Sequence, residues 1–252
     1  MNAPLLLGLD TSGGPVSVGL MDTALRAERT LHVGLTHSET LMPMVEGLLQ
    51  DANTTLSHVE GVAVAVGPGS FTGLRIGIAA VKALAWAAGK PLIPVGTLPG
   101  LAAQAWAFDG LVAPVMDARR GQVYTAVYRG LSHEVPADLQ PVGFSCMQTV
   151  LPPCAITARE LVEHLATFDA PVMLLGDGVT PNAEVWSALP HVRSMPPGQS
   201  LQRAASLLQV AHWRWAVSPA PQSDPAFDAL QLDAVYLRAS QAERKLRGEE
   251  GA

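Results

Sequence analysis

The order of apolar and polar positions along the chain predicts strands that alternate with helices. Short apolar or alternating runs predict strands over 5–10, 16–21, 26–33, 62–66, 92–95, 112–116, 123–128 and 172–175. Apolar residues at helical spacing predict helices over 37–50, 72–88, 97–108, 158–168 and 200–217. Residues 234–237 are short and strand-like, and the residues after 240 are charged. Alternation of this kind is typical of an α/β fold.

Two parts of the chain open with the same pattern. An apolar strand ends at Asp10, a Gly-Gly-Pro turn follows, and a second strand begins. Another strand ends at Asp117 and returns through the turn Arg119-Arg120-Gly121. This repetition predicts two similar lobes, 1–108 and 109–240, each a mixed sheet with flanking helices. Residues 241–252 are expected to be a disordered tail.

The helix predicted over 72–88 carries apolar or small residues around most of its surface. Leu74, Ile78 and Val81 form an ordinary core stripe, and small residues such as Gly73 and Gly77 lie beside it. Glycine costs about 1 kcal/mol of helix stability relative to alanine, so the presence of glycine at these two positions requires an explanation. Two interpretations remain open: the helix is enclosed by its own lobe, or another protein chain covers it.

Composition narrows the class of protein. The 252 residues are 48% hydrophobic, and 16 Lys+Arg against 22 Asp+Glu give a net charge of −6. This excess of acidic residues argues against a protein that binds nucleic acid without a partner. The two cysteines, Cys146 and Cys154, form no CxxC pair. Neither a signal-type start nor a run of about 20 apolar residues is seen, so we expect a cytoplasmic protein without a membrane span.

Several turns could hold a nucleotide. Loop 67–72 could cradle a phosphate at a helix N-terminus, although a tight strand-to-helix turn explains its glycines equally well. Facing aspartates at strand ends could hold phosphates through a metal, or they could simply cap turns. The candidate nucleotide-binding residues are Asp10, Thr11, Ser12, Asp117, Gly176, Asp177 and Gly178.

Other catalytic patterns are missing from the sequence. Its seven histidines include no pair at i, i+4, and the sequence has neither an H-E-x-x-H nor a G-x-S-x-G motif. We therefore assign no catalytic residue and no metal ligand.

The run 67–77, GPGSFTGLRIG, resembles the TsaB (YeaZ-type) family. Shorter pieces match in order: LGLDTS at 7–12, THSE at 36–39, PVGTL at 94–98, MDARRGQVY at 116–124 and VYLR at 235–238. The resemblance is good over about 5–128 and looser beyond. It implies a two-lobed actin, sugar kinase and Hsp70-like (ASKHA) fold in a cytoplasmic protein that helps form N6-threonylcarbamoyladenosine at position 37 of tRNA.

The resemblance implies a scaffold rather than an enzyme. The transferase of that system, TsaD, binds metal through H-x-x-x-H, whereas His37 here is followed four residues later by Leu41. Implied partners are a TsaD-type transferase, a TsaE-type ATPase and a second copy of the chain, with tRNA contacted only indirectly. No cofactor is required, although weak binding of ATP or ADP with Mg²⁺ is allowed.

The resemblance places the partner interface on the helices over about 37–50 and 72–88. The interface residues that we predict there are Leu41, Met42, Val45, Thr72, Gly73, Arg75, Ile76, Gly77, Ala80 and Leu84. The main alternative is an ATP-using kinase or ATPase of the same fold. A metallopeptidase, suggested only by the glycoprotease names once given to relatives, is a third.

Overall fold

The computed structural model describes residues 3–32, 34, 37–130, 147–218, 220–228 and 231–238. Thr36, Cys146 and the tail 241–252, about which the sequence made predictions, lie outside these residues.

The strands and helices agree in most places with the sequence pattern. The strands are β1 Leu6–Asp10, β2 Val16–Met21, β3 Leu25–Leu31, β4 Gly61–Gly67, β5 Leu92–Gly96, β6 Leu111–Arg119, β7 Gln122–Gly130, β8 Met147–Thr157, β9 Val172–Leu175 and β10 Val192–Ser194. The helices are α1 His37–Asp51, α2 Phe71–Ala88, α3 Thr97–Ala102, α4 Ala158–Leu165, α5 Ala183–Trp186 and α6 Ala204–Val217.

Two five-stranded sheets share one topology. The first has the order β3-β2-β1-β4-β5, and the second, read from its other edge, is β8-β7-β6-β9-β10. In each sheet the first three strands are antiparallel, and two further strands add in parallel beside the first. The expected two-lobed ASKHA-like α/β fold is confirmed.

Helices cover both faces of the first sheet. On one face α1 and α2 pack over Leu9, Val18 and Val64. On the other face α6 packs over Leu6 and Ala63. Helix α3 contacts α6 and also β6 and β7, so it lies between the two sheets.

Helix α6 follows the second sheet in sequence but belongs to the core of the first. Its Leu207 and Leu208 are fully buried against strands of the first sheet. Leu232 also enters the first core, beneath α1 and α2. The range 109–240 therefore contains pieces of both lobes, which a boundary drawn from chain order does not show.

Helix α2 is the one described helix that is long and apolar enough to span a membrane, with a mean hydropathy of 1.3 over 18 residues. The sequence analysis expected no such stretch. Here α2 connects the parallel strands β4 and β5, and its Leu74 and Val81 are fully buried against the sheet. Its apolar character thus has an explanation within the fold.

The local predictions were wrong or incomplete in several places. Strand β8, which contains Pro152 and Pro153, was not predicted at all, and neither were the short elements β10 and α5. Residues 234–237 form no strand, although the Val235 amide donates a hydrogen bond to the carbonyl of Val66. Helix α3 ends at Ala102 and continues only as a 3-10 turn to Ala105, well short of Phe108.

Candidate functional site

Two features are candidates for function: the outer surface of α1 and α2, and the cleft between the lobes. The two helices lie side by side on the first sheet, since both connect strands of that lobe. A shallow groove of about 440 Å³ runs between them, lined by Met42, Pro43, Val45, Glu46, Leu49 and Leu84. Met42 is 43% exposed at this groove. An apolar groove between two helices is the kind of surface that another helix can cover.

Four of the ten predicted interface residues are enclosed by the chain itself. Leu41 and Val45 are only 1% and 2% exposed, in the core beneath α1, so that Val45 reaches the groove only at its floor. Gly73 and Gly77 face Thr11 at the end of β1, and a Cβ at either position would collide with that residue. The Thr11 hydroxyl donates a 2.7 Å hydrogen bond to the Gly73 carbonyl. The group that approaches these glycines is therefore the chain's own Thr11, through its carbonyl at Gly73 and its hydroxyl at Gly77.

The other six predicted residues reach the surface. Met42, Thr72 and Arg75 are exposed, and Ile76, Ala80 and Leu84 are half-buried. The chain's own lobe thus explains the enclosed face of α2, whereas cover of the exposed face by another protein chain stays a prediction. Trp86, at the end of the same helix, is 86% exposed. It lies outside the predicted interface set.

The cleft between the lobes has a volume of about 380 Å³. From the first lobe it is bordered by the β1–β2 turn and the loop before α2; from the second it is bordered by the β6–β7 turn. Three of the seven predicted nucleotide-binding residues border it, namely Ser12, Asp117 and Asp177. Asp10, Thr11, Gly176 and Gly178 do not.

Asp10 lies beneath the floor of the cleft. It is 3% exposed, and its Oδ1 accepts hydrogen bonds from the backbone N–H and the hydroxyl of Ser12, at 2.8 and 2.6 Å. Burial raises the pKa of the Asp10 carboxyl above its ordinary value, and the bonds from Ser12 oppose this only in part. Because the Ser12 hydroxyl donates its proton to Asp10, that proton is not free to bond a ligand in the cleft.

The carboxylates of Asp117 and Asp177, in the second lobe, are both partly engaged in hydrogen bonds at the start of the β6–β7 turn. The Asp117 side chain accepts a 2.7 Å bond from the Arg119 amide and forms an ion pair with the Arg119 guanidinium at 3.1 Å. Asp177 accepts a 2.9 Å bond from the Asp117 amide. Burial raises the pKa of Asp177, and the nearby Asp117 charge acts in the same direction. Turn capping accounts for much of this arrangement.

The two glycines beside Asp177 are structural. Gly176 has a φ of +121° and packs against the Val115 carbonyl, and the Gly178 amide donates to that same carbonyl at 3.0 Å. They shape the loop that presents Asp177.

The loop before α2 also uses its polar groups internally. The Ser70 amide donates to the Ser12 carbonyl at 2.7 Å, and the Ser70 hydroxyl caps α2 by accepting from the Gly73 amide at 3.2 Å. This favours the strand-to-helix turn over a phosphate cradle, because two of the groups that a phosphate would need are already paired.

Among the described residues no group of three or more His, Cys, Asp or Glu is placed to hold a metal ion. His37 begins α1, and the residue four positions later, Leu41, is an apolar residue of the core.

The buried Asp10 carboxyl leads to a pH prediction. The pKa of Asp10 is higher in the folded than in the unfolded state, so protonation of this carboxyl stabilises the fold. The stabilisation is complete below about pH 4 and is lost as the pH rises through the folded-state pKa. The amide introduced by Asp10→Asn could still accept from Ser12 without carrying a charge. We expect the unfolding free energy of Asp10→Asn, relative to wild type, to increase from pH 4 to pH 7 in urea titrations. A difference that stays constant over this pH range would contradict this.

The profile of the family described as TsaD, tRNA N6-adenosine threonylcarbamoyltransferase, matches residues 32–175. The tRNA threonylcarbamoyladenosine biosynthesis protein TsaB of Bacillus subtilis is 36% identical over 173 residues, which are 68% of this chain and 70% of that protein. TsaB of Escherichia coli is 38% identical over 145 residues, 54% of this chain and 62% of that protein.

A solved structure of YeaZ from Pseudomonas aeruginosa superposes with a TM-score of 0.70 and 28% identity, covering 93% of this chain and all of that one. The duplicated sheets with a cleft between them define a two-lobed protein of the ASKHA class. Within that class, the chain belongs to the TsaB (YeaZ-type) family.

Proposed function

We propose that this chain is the non-catalytic TsaB-type subunit of the machinery that forms N6-threonylcarbamoyladenosine at position 37 of tRNA. The observation that carries the proposal is the 36% identity to B. subtilis TsaB across 70% of that protein. In this proposal the reaction belongs to a TsaD-type transferase, and the chain supplies a surface that the transferase needs.

The surface that we propose for the transferase is the exposed strip of α1 and α2. Met42 and Leu84 line the apolar groove, and Ile76 and Ala80 lie half-buried on the same helix pair. Apolar side chains in the centre of an interface contribute most of its binding energy. Thr72 and Arg75 would form the polar rim at the start of α2.

The remaining partners follow from the same scheme. In the absence of the transferase, a second copy of the chain would cover the strip. A TsaE-type ATPase would join the heterodimer, and the cytoplasm is the compartment in which all of these proteins and tRNA meet. A net charge of −6 suits a subunit that contacts tRNA only through its partners.

Reconstitution tests the proposal. The purified chain should form a stable complex with the TsaD-type transferase of the same organism. With the remaining components present, modified tRNA should accumulate only when both proteins are added, as measured by mass spectrometry of nucleosides. Modification by the chain without the transferase, or equal modification when the chain is omitted, would overturn the assignment.

A second candidate function is weak nucleotide binding in the interlobe cleft. It is favoured by one observation: Asp117 and Asp177, from adjacent turns of the second lobe, both border a cleft of about 380 Å³. These two carboxylates would hold Mg²⁺, which would neutralise the phosphates of ATP or ADP. The fit is partial, because Asp10 is enclosed and Asp117 is paired with Arg119. Nucleotide is therefore not required in this proposal.

Thermal denaturation with Mg-ATP tests this second candidate. Ligand at ten times its Kd adds about 1.4 kcal/mol to stability, which raises the Tm of a domain of this size by about 3–5 °C. We expect such a rise at millimolar Mg-ATP, and its loss in Asp117→Asn. The same Tm with and without nucleotide would remove the candidate and leave the scaffold role intact.

A further inference from the structure

None of the residues of the motif at 235–238 was predicted to belong to a site, yet the structure places the motif where two other segments that match the TsaB family meet. These are the loop and helix start at 67–77, in the first lobe, and the β6–β7 turn, in the second. Tyr236 and Arg238 both border the interlobe cleft. The segment 232–238 therefore contacts both lobes at the cleft.

The beginning of this segment is anchored in the first lobe. Leu232 is 7% exposed in the core beneath α1 and α2. The Val235 amide donates a 2.7 Å hydrogen bond to the Val66 carbonyl at the end of β4. Gly67, with a φ of +119°, allows the Val235 carbonyl to pack against it, and any side chain at Gly67 would collide with that oxygen.

The middle of the segment packs on the first turn of α2. The ring of Tyr236 lies against that of Phe71, with centroids 5.2 Å apart. Arg75 connects the two: its guanidinium lies 3.9 Å above the Phe71 ring, and its Nε donates to the Tyr236 hydroxyl at 3.3 Å. Stacking and cation–π contacts of this geometry are favourable.

The end of the segment crosses to the second lobe. One terminal nitrogen of Arg238 donates to the carbonyls of Ala118 and Arg119, at 2.9 and 3.3 Å. These carbonyls belong to the β6–β7 turn, where Arg119 and Arg120 have positive φ values of 64° and 56°. The unusual turn conformation presents its carbonyls to the arginine, and a charged donor makes such hydrogen bonds stronger than neutral ones.

We propose that residues 232–238 form a strap that holds the two lobes together across the interlobe cleft. The lobes also meet through α3, whose Leu98 and Leu101 are buried in a cluster with Val112 and Met116 of the second sheet. Helix α3 is then the hinge, and the strap is the contact that sets how far the cleft opens. Release of Arg238 opens the cleft while the strap remains attached to the first lobe.

The strap also connects the cleft to the α1–α2 surface. Arg75, at the rim of the strip proposed above, is the residue that holds Tyr236. A protein that covers Arg75 therefore changes one attachment of the strap. This link depends on the proposed interface, whereas the strap itself depends only on contacts within the chain.

The separation between the lobes provides the test. Spin labels at the exposed positions Gln50 on α1 and Glu163 on α4 report on opposite outer layers. Both positions would be changed to cysteine for labelling, in the full chain in which the native cysteines are removed by Cys146→Ser and Cys154→Ser. We expect one narrow distance distribution by pulsed electron spin resonance for the parent chain, and a distribution at least twice as broad for Arg238→Met.

Matched variants separate the strap from a general loss of charge or folding. Arg193→Met removes an exposed arginine from the edge strand β10 and should leave the distribution unchanged. Arg238→Lys keeps the charge with a shorter reach and should give an intermediate width. In Arg238→Met the Val235 amide should stay protected from hydrogen exchange, because its bond to Val66 lies within the first lobe. An Arg238→Met distribution as narrow as that of the parent would overturn the strap.

Discussion

Gly73→Ala should destabilise the isolated chain by about 1–3 kcal/mol, the range found when an extra methyl group is forced into a packed site. The new Cβ would collide with the Thr11 carbonyl, and a backbone atom at the end of β1 cannot move aside as a side chain can. The helix propensity of alanine offsets at most about 1 kcal/mol of this. Denaturant unfolding of the chain, with no partner present, measures the loss.

A matched glycine on α1 provides the control. At Gly47 the nearest atoms to a new Cβ are those of the Arg29 guanidinium, which is the end of an exposed side chain and can swing away. Gly47→Ala should therefore be neutral, or stabilising by up to about 1 kcal/mol. If Gly73→Ala were equally harmless alone and impaired only partner binding, then Gly73 would belong to the interface after all.

Charge substitutions at two adjacent residues of α1 should have opposite consequences. Leu41→Glu places a carboxylate in the core, where Leu41 is 1% exposed, and should cost more than about 4 kcal/mol of stability. Much or all of the folded protein would be lost, since small domains are stable by about 5–15 kcal/mol. Met42→Glu, at a side chain that is 43% exposed, should leave the Tm within a few degrees of wild type.

The same pair tests the proposed interface. If the TsaD-type transferase covers the groove, Met42→Glu should weaken binding by about 2 kcal/mol or more, which is roughly thirtyfold in Kd. Calorimetric titration of the transferase with the folded variant measures this. Unchanged affinity for Met42→Glu would move the interface away from the groove. Charges at Gly77 or Ile78 are poor tests, because both residues are buried within the lobe.

The elements that the sequence predicted well are those in which burial shows directly in the pattern. Strand β4 is buried along its whole length, and its residues 62–66 are an unbroken apolar run. The end of α2 at Gly89 was also predicted, because this glycine adopts the left-handed conformation that closes a helix. Local composition was sufficient in both cases.

Strand β8 shows why other elements could not be predicted. Prolines disfavour a strand, and Pro152 and Pro153 lie in the middle of it. The structure tolerates them because β8 is the edge strand of its sheet, and its register against β7 shifts between Leu151 and Cys154. Edge position is a property of the whole sheet and leaves no mark in a short window of sequence.

For the candidate site, too, some features could be predicted from the sequence and others could not. The sequence identified α1, α2 and the aspartate turns as the informative segments, and the resemblance to TsaB proteins supplied a function for them. It could not assign each residue to the surface or the core. Of the seven predicted nucleotide-binding residues three border the cleft, and of the ten predicted interface residues four are enclosed.

The sequence by itself determined the alternation of strands and helices, the repeated hairpins and the family, because these depend on local pattern and on long matching runs. Only the tertiary structure decided what each face of α2 touches. Thr11 and Gly73 are 62 positions apart in the chain, and Arg238 lies 120 positions from the carbonyl of Ala118. Contacts across such separations arise from the packing of whole sheets and helices, which no periodicity within a single segment encodes.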